Sequence, residues 1–300
     1  MPNPSAPANA PSATATIDDS ALSRLRSGFQ GTLLRPGDPP YESARKVWNG
    51  AIDRRPAVIA RCTTTADVIR AVSFARERKL PLAVRGGGHN VAGNASCDGG
   101  VVIDLSPMKA IRVDQARRTA RAEGGVTWGE LDRETQKFGL ATTGGIVSST
   151  GIAGLTLGGG IGWLGRSYGL ASDNLLSVEL VTADGQLRTV SATDHADLFW
   201  GLRGGGGNFG VATSLEYRLH PVGQVLGGLL IHPFEAGGDL LRRYRDLNAA
   251  STGELTCFAV LTSTGEGVPV AVVAVCYNGK PEDGERLLRP LRSFGSPLMD

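Results

Sequence analysis

The chain reads as an α+β protein in two parts, and three features predict this. A strand–helix–strand pattern over residues 56–85 runs directly into a triglycine loop. Strand patterns separated by short turns follow, as expected for antiparallel pairing. The glycines are also confined: 27 of the 42 lie between residues 85 and 210, with runs at 86–88, 144–145, 158–160 and 204–207. Glycines needed only for turns would be spread between elements. Runs suggest backbone packed against something large and flat, or against phosphates. At 300 residues and 41% hydrophobic, the chain has material for two cores.

Taken in order, residues 1–17 are mostly Ala, Pro, Asn, Ser and Thr, without the basic start or apolar core of a signal peptide. A poorly ordered tail is expected over residues 1–30, and a cytoplasmic protein. Residues 56–60 read as a strand, and Thr63, Thr64 and Thr65 offer caps for a helix with apolar Val68, Ile69, Val72 and Ala75. Residues 82–85 and 101–105 are further strands, and 111–114 with 119–123 flank a hairpin. Thr127 and Glu130 form a capping box for a helix ending near Phe138 and Gly139. Residues 176–182 and 186–190 bracket the turn Ala183-Asp184-Gly185. Residues 197–202 suggest a short helix and 211–219 an alternating strand. Glycine clustering stops near residue 221, which divides a first domain (52–221) from a second (222–300). The second reads as strand (229–233), helix (239–248), two strands (255–262, 268–277) and helix (282–294).

Several functions are excluded on composition. A net charge of +2, from 31 basic and 29 acidic residues, and only 17 aromatics argue against a nucleic-acid platform. Cys62, Cys97, Cys257 and Cys276 are too scattered for a metal site or a dense disulfide framework. Residues 138–165 carry no charge over a length that could span a bilayer, but 16 of the 28 are Gly, Ser or Thr. Those residues break a spanning helix, so no membrane partner is expected.

The most informative junction is the strand entering R-G-G-G-H-N at residues 85–90. Consecutive glycines can form a backbone nest for a pyrophosphate, and the imidazole beside it carries a nucleophilic nitrogen. A tight turn with a solvated histidine is the other reading. Two G-x-G-x-x-G matches, at 160–165 and 205–210, lack the strand-to-helix context of a nicotinamide dinucleotide site. No phosphate-binding G-x-x-x-x-G-K-[ST] loop occurs. A dinucleotide held by several separate glycine loops fits better.

With V-V-I-D-L-S at 101–106, G-I-A-G-L-T-L-G-G-G-I-G at 151–162, Y-G-L-A-S-D-N at 168–174 and F-W-G-L-R-G-G-G-G-N-F-G at 199–210, these runs resemble the berberine-bridge-enzyme-like FAD-linked oxidases. Those belong to the vanillyl-alcohol-oxidase superfamily with its PCMH-type FAD-binding domain. The resemblance runs from about residue 56 to the end, and implies a two-part FAD-binding domain followed by an incomplete substrate domain with an antiparallel sheet and helices.

The resemblance further implies that His89 bonds to the flavin 8α-methyl, with Arg85, Gly86, Gly87, Gly88 and Asn90 in the same cofactor loop. Many members add a cysteine link at the position Val147 occupies here, so one link is expected. Gly144, Gly145, Gly151, Gly154 and Gly158 are the implied backbone contacts. Asn174, with Asp173, reaches the cofactor or braces its own turn. Gly206, Gly207 and Asn208 close the site, and Val211 packs near the adenine. His195, His220 and His232 are expected at the surface or a domain hinge, and Trp128, Trp163 and Trp200 in packing. The implied reaction takes a hydride from an alcohol, sugar or secondary metabolite to FAD, with oxygen restoring the oxidised flavin; the alternatives are a dehydrogenase using another acceptor and a truncated flavin-binding module without turnover. Similar enzymes continue beyond position 300, so an unfinished second sheet is expected, with strand 268–277 at its edge. No catalytic base is named.

Overall fold

The computed structural model describes residues 17–300. The chain enters through α1 (Asp19–Arg26), β1 (Thr32–Leu34) and α2 (Tyr41–Ala44). The tail expected to residue 30 is corrected over its last stretch, and residues 1–16 lie outside the described residues. The Asp18 carboxylate accepts from the Ala21 N–H at 2.7 Å and caps α1, while Ala21, Leu22 and Leu25 are buried on one face. That spacing is a helix face, and ordering follows from its burial.

Next come β2 (Val58–Arg61), α3 (Thr65–Glu77), β3 (Leu82–Arg85) and β4 (Val101–Asp104). With β1 antiparallel at the edge, they form a sheet of order β1-β2-β4-β3 whose other pairings are parallel. Thr64 caps α3, accepting from the Asp67 N–H at 3.2 Å, and Asp67 in turn accepts from the N–H groups of Gln30 (2.7 Å) and Thr63 (3.0 Å). Val58, Ile59, Val101 and Ile103 are fully buried, as parallel strands covered on both faces are.

The chain continues through β5 (Ile111–Asp114), β6 (Thr119–Glu123), α4 (Trp128–Gln136), β7 (Leu140–Ala141), α5 (Ile152–Leu157), α6 (Gly165–Tyr168), β8 (Leu175–Val181), β9 (Leu187–Ser191), α7 (Ala196–Leu202), β10 (Val211–Arg218) and β11 (His220–Pro221). Five of these strands make an antiparallel sheet of order β5-β6-β10-β8-β9. Glu130 accepts from the Thr127 N–H at 2.8 Å, so α4 starts where its capping residues predict. The alternation expected for β10 is corrected: Val211 to Leu215 are all buried. This strand is central, with Val211 in the core beneath α3 and Ala212 and Leu215 in the core around Trp128.

The second part comprises β12 (Leu226–Pro233), α8 (Gly237–Ala250), β13 (Leu255–Ser263), β14 (Pro269–Tyr277) and α9 (Pro281–Arg292), with sheet order β12-β14-β13. The strand expected at the edge is therefore the middle one, paired on both sides. The α8 connection separates β12 from β13, and β14 fills the gap. His232, expected at the surface or hinge, is 1% exposed, because its register opposite Ala271 turns it toward the helices and Phe294. Trp200 departs the other way, 76% exposed on α7.

The two parts are joined at α6. The Arg166 guanidinium donates to the Ser251 hydroxyl (2.8 Å), the Leu255 carbonyl (2.9 Å) and the Asn248 side chain (3.2 Å). Trp163 meets Phe258 edge-on with ring centroids 4.9 Å apart. Arg166 is the first charge after the uncharged run, and it caps the end of α8 and the start of β13.

Two contacts set the triglycine loop. Arg85 Nη2 donates to Asp104 at 2.8 Å and Nε to its other oxygen at 3.4 Å, while Nη1 donates to the carbonyls of Ala44 and Lys46. Asp104 is 1% exposed. Burial alone would raise its carboxyl, but the Arg85 hydrogen bonds and charge and the Ser106 N–H outweigh that and hold it below the usual range. The second contact is a backbone crossing. A Cβ on Gly87 would lie 2.2 Å from Gly151 N, and one on Gly151 would lie 2.3 Å from Gly87 N.

Asp104→Asn should cost about 3 kcal/mol by leaving Arg85 buried beside a neutral partner. The folded carboxyl lies below its unfolded value, so its contribution is complete above about pH 4 and lost as pH falls through the lowered value. Urea melts across pH 2–7 should show that slope in the wild type and a shallower one in the variant. Gly151→Ala should destabilise by roughly 3 kcal/mol. Gly154→Ala, on α5 with nothing within 4 Å of its added carbon, should stabilise the cofactor-free chain by about 0.5–1 kcal/mol. Calorimetry that ranks the two alike would overturn this division of the glycines.

Candidate functional site

A cleft of about 570 Å³ opens where β3 ends. Gly86, Gly87, Gly88 and His89 line it from one side, and Ser43 and Ala44 at the end of α2 with Lys46, Val47 and Trp48 after it line it from the other. Arg85 and Asp104 make the floor, with Arg61, Ser106 and Ser149 at the margins. The Trp48 N–H donates to the Gly88 carbonyl at 3.1 Å, which ties the two walls together. Gly88 takes φ +73°, a left-handed conformation that glycine adopts without a Cβ penalty.

His89 is half-buried and held on three sides. Its Nε2 is 3.1 Å from the Ser149 hydroxyl and its Nδ1 is 3.4 Å from the Thr150 hydroxyl. The exposed Trp48 indole stacks on the ring, with centroids 5.5 Å apart at 19°. The Gly87–Gly151 crossing creates this arrangement by bringing the loop before α5 beside residue 89.

The electrostatics of the cleft are cationic. Asp104 is shared by Arg85 at 2.8 Å and by the 42%-exposed Arg61 side chain at 3.3 Å, so one carboxylate faces two guanidiniums, and Lys46 adds a further cation at the mouth. The backbone N–H groups of residues 86–89 donate to no protein acceptor among the described residues. Unpaired donors around a left-handed glycine, with cations nearby, form an anion-binding concavity.

The sequence-predicted residues divide into three groups. Gly86, Gly87, Gly88, His89 and Arg85 meet in the cleft, Arg85 as a buried brace beneath the loop. A second group lies against protein: Gly144 leaves room for Trp128, Gly145 for Leu155, and Gly151 for Gly87. Asn174 also belongs here. Its amide donates to the carbonyls of Tyr168 and Leu170, both at 2.9 Å, and its oxygen lies 2.7 Å from His220 Nε2. Asp173 accepts from the Leu170 N–H at 2.8 Å, so it braces its own turn. Val211 is buried beneath α3, and the Asn90 side chain accepts from the Asn94 N–H at 3.0 Å. The third group opens outward: Gly154 and Gly158 on the exposed side of α5, with Gly206, Gly207 and Asn208 in a 3-10 turn after α7. Gly204 donates to the Leu157 carbonyl at 3.0 Å, which sets that turn's loop against the end of α5.

The sequence reading missed Lys46, Trp48, Arg61, Ser149 and Thr150. The run Arg45-Lys46-Val47-Trp48-Asn49 carries a basic pair and an aromatic in a segment without helix or strand periodicity, the one signal that could have pointed to it. Trp163 and Trp128 are packing residues, as expected. His220, stacked on Tyr168 at 3.9 Å between centroids, lies at the boundary between the two parts.

The residues present fit an FAD. The unpaired N–H groups of 86–89 suit a pyrophosphate, and the side-chain-free face of α5 suits a flat ring. The Thr142 and Thr143 hydroxyls are buried without hydrogen-bond partners at the head of the uncharged run. No cysteine lies among the cleft-lining residues.

Comparison with known proteins agrees. The family model for the FAD binding domain matches residues 56–191. (R)-6-hydroxynicotine oxidase of Paenarthrobacter nicotinovorans is 44% identical over 91% of this chain and 60% of its own length. An FAD-linked oxidoreductase of Dictyostelium discoideum is 39% identical over 90% and 59%. The solved 6-hydroxy-D-nicotine oxidase of Arthrobacter nicotinovorans superposes with a TM-score of 0.87 at 36% identity, covering 91% of this chain and 61% of that one. BBE-like 1 of Physcomitrella patens follows with a TM-score of 0.85 at 27% identity, over 93% and 61%. The chain thus spans about 60% of the length of these relatives. By fold, by cleft and by these similarities, the chain carries an FAD binding domain of the PCMH type and is related to the FAD-linked oxidoreductases, among them 6-hydroxynicotine oxidase and the BBE-like enzymes.

Proposed function

We propose that this chain is the flavin-holding part of an FAD-dependent oxidase in which FAD is attached covalently, through His89 alone. The observation that carries the reading is the imidazole at the end of the unpaired triglycine nest, in a cleft whose lining residues include no cysteine. When bound, the flavin supplies a two-electron acceptor for a hydride from an organic substrate, with molecular oxygen as the final oxidant.

The chain's own residues prepare that chemistry. The N–H groups of 86–89 receive phosphate oxygens, with Lys46 and Arg61 offsetting their charge. Arg85, paired with Asp104, stiffens the loop from beneath. The crossing at Gly87 and Gly151 holds the two flavin-contacting segments at a set separation. Gly154 and Gly158 leave α5 bare where a ring can lie close.

Above this domain, the face of the three-stranded sheet opposite its helices carries Leu229, Ile231, Phe258, Val260, Val272 and Ala274 and no charged residue. Phe258 meets Trp163 of the flavin domain from this face. An uncharged, carbon-rich alcohol or secondary metabolite suits such a surface better than an ionic substrate. A cytoplasmic setting is consistent with four free cysteines.

Purified protein should be yellow, and the flavin should stay with the chain through acid precipitation. His89→Ala should leave bound flavin fully extractable. Flavin that washes out of the denatured wild type removes the covalent assignment. Peptide mapping should find a single flavin-bearing peptide, the one containing His89. A flavin on Cys62, Cys97, Cys257 or Cys276 would contradict the single link. Hydrogen peroxide released in proportion to oxidised substrate is the expected readout for oxygen as acceptor, and its absence with turnover retained points to another acceptor.

A further inference from the structure

We propose that Ser149 and Thr150 are positioning residues for a reaction the chain performs on itself, the attachment of FAD to His89. This role rests on the covalent reading above and adds to it the means by which the imidazole is made ready.

A neutral imidazole has one N–H and one nitrogen lone pair, and only the lone pair can attack carbon. A ring free in a cleft exchanges tautomers and turns about its side-chain bonds. Here both nitrogens face hydroxyls from consecutive residues, Ser149 at 3.1 Å and Thr150 at 3.4 Å. Neither hydroxyl has another hydrogen-bond partner among the described residues. Nor does either cap α5, whose N-cap is Gly151. Their geometry is therefore directed at the imidazole. The stacked Trp48 indole sets the ring plane, and the Trp48 backbone N–H is anchored to the Gly88 carbonyl. One hydroxyl accepts the imidazole N–H, while the other faces the lone pair and gives way to the incoming carbon.

The attachment balances as follows. A C–H bond of the flavin 8α-methyl and the imidazole N–H are broken, and a C–N bond forms. The two electrons released are taken up by the flavin ring and passed to dioxygen, which leaves with the two protons as hydrogen peroxide. The protein's part is at the imidazole, where the hydroxyl holding the N–H receives its proton and relays it to water.

The test uses the full chain, made without flavin in riboflavin-starved cells and mixed with saturating FAD in air. Covalent flavin is followed over time by intact mass and by fluorescence of the denatured chain, neither of which depends on substrate turnover. Ser149→Ala and Thr150→Val should each slow attachment about tenfold, and the double variant on the order of 10²-fold. The FAD concentration giving half-maximal rate should be unchanged, and Ser149→Thr should restore the rate. Ser149 is exposed, so its truncation leaves the core untouched. Ser149→Cys, similar in size but a weak hydrogen-bonding group, gives the same reading if Ser149→Ala fails to fold. Attachment at the wild-type rate in these variants, slowing that only tracks weaker FAD binding, or failure of Ser149→Thr to restore it would overturn the role. A wild type that holds FAD without a covalent bond would overturn the His89 link and this role together. A covalent wild type with unimpaired variants would overturn the hydroxyl role alone.

Discussion

The approach of two backbones at Gly87 and Gly151 is the constraint on which the site depends. Each amide nitrogen lies only 2.2–2.3 Å from where the other residue's Cβ would be, so no pair of side-chain-bearing residues can occupy the crossing without a shift. Because it forms, the loop before α5 lies against the end of the loop after β3. Ser149 and Thr150 then reach the imidazole, and α5 begins beside the triglycine nest. A crossing of this kind adds no attraction of its own. It is held closed by what lies on either side: the Trp128 core under residues 144–152 and the Arg85–Asp104 pair under residues 86–88.

The distribution of charge follows from the same arrangement. Arg85 would be a costly buried cation without a carboxylate at 2.8 Å. With one, it becomes a neutral strut that also collects the carbonyls of Ala44 and Lys46 and so places the segment carrying Trp48. Arg61, at the margin, shares the same carboxylate at 3.3 Å, and Lys46 is exposed at the mouth; solvent stays close to both, so their desolvation cost is small. The uncharged run of residues 138–165 contributes shape without charge, and the first cation after it, Arg166, is turned away from the cleft to join the second part.

Glycine clustering had a single reading in one dimension and has two in three. Gly87, Gly144, Gly145 and Gly151 are small because protein occupies the neighbouring space. Gly154, Gly206 and Gly207 are small with open space before them, and these match the idea of a bulky flat ligand. Nothing in the order of residues distinguishes the two sets, since both appear as glycine among apolar and hydroxyl residues. The distinction depends on which chain segment lies a few ångströms away.

The sequence by itself determined the local elements and the motif junction. Capping residues at Thr64 and Thr127, apolar periodicity in α3 and the turn at Asp184-Gly185 act within a few residues, so their physics is readable locally. The strand leading into three glycines and His89 was legible for the same reason. Tertiary structure decided the rest. The middle position of β14, the burial of β10 and His232 and the exposure of Trp200 depend on which strands and helices become neighbours. The same holds for the gathering of Trp48, Ser149 and Thr150 around His89, residues 41 and 60–61 positions distant in sequence. Long-range backbone contact made those neighbours, and no local pattern encodes it.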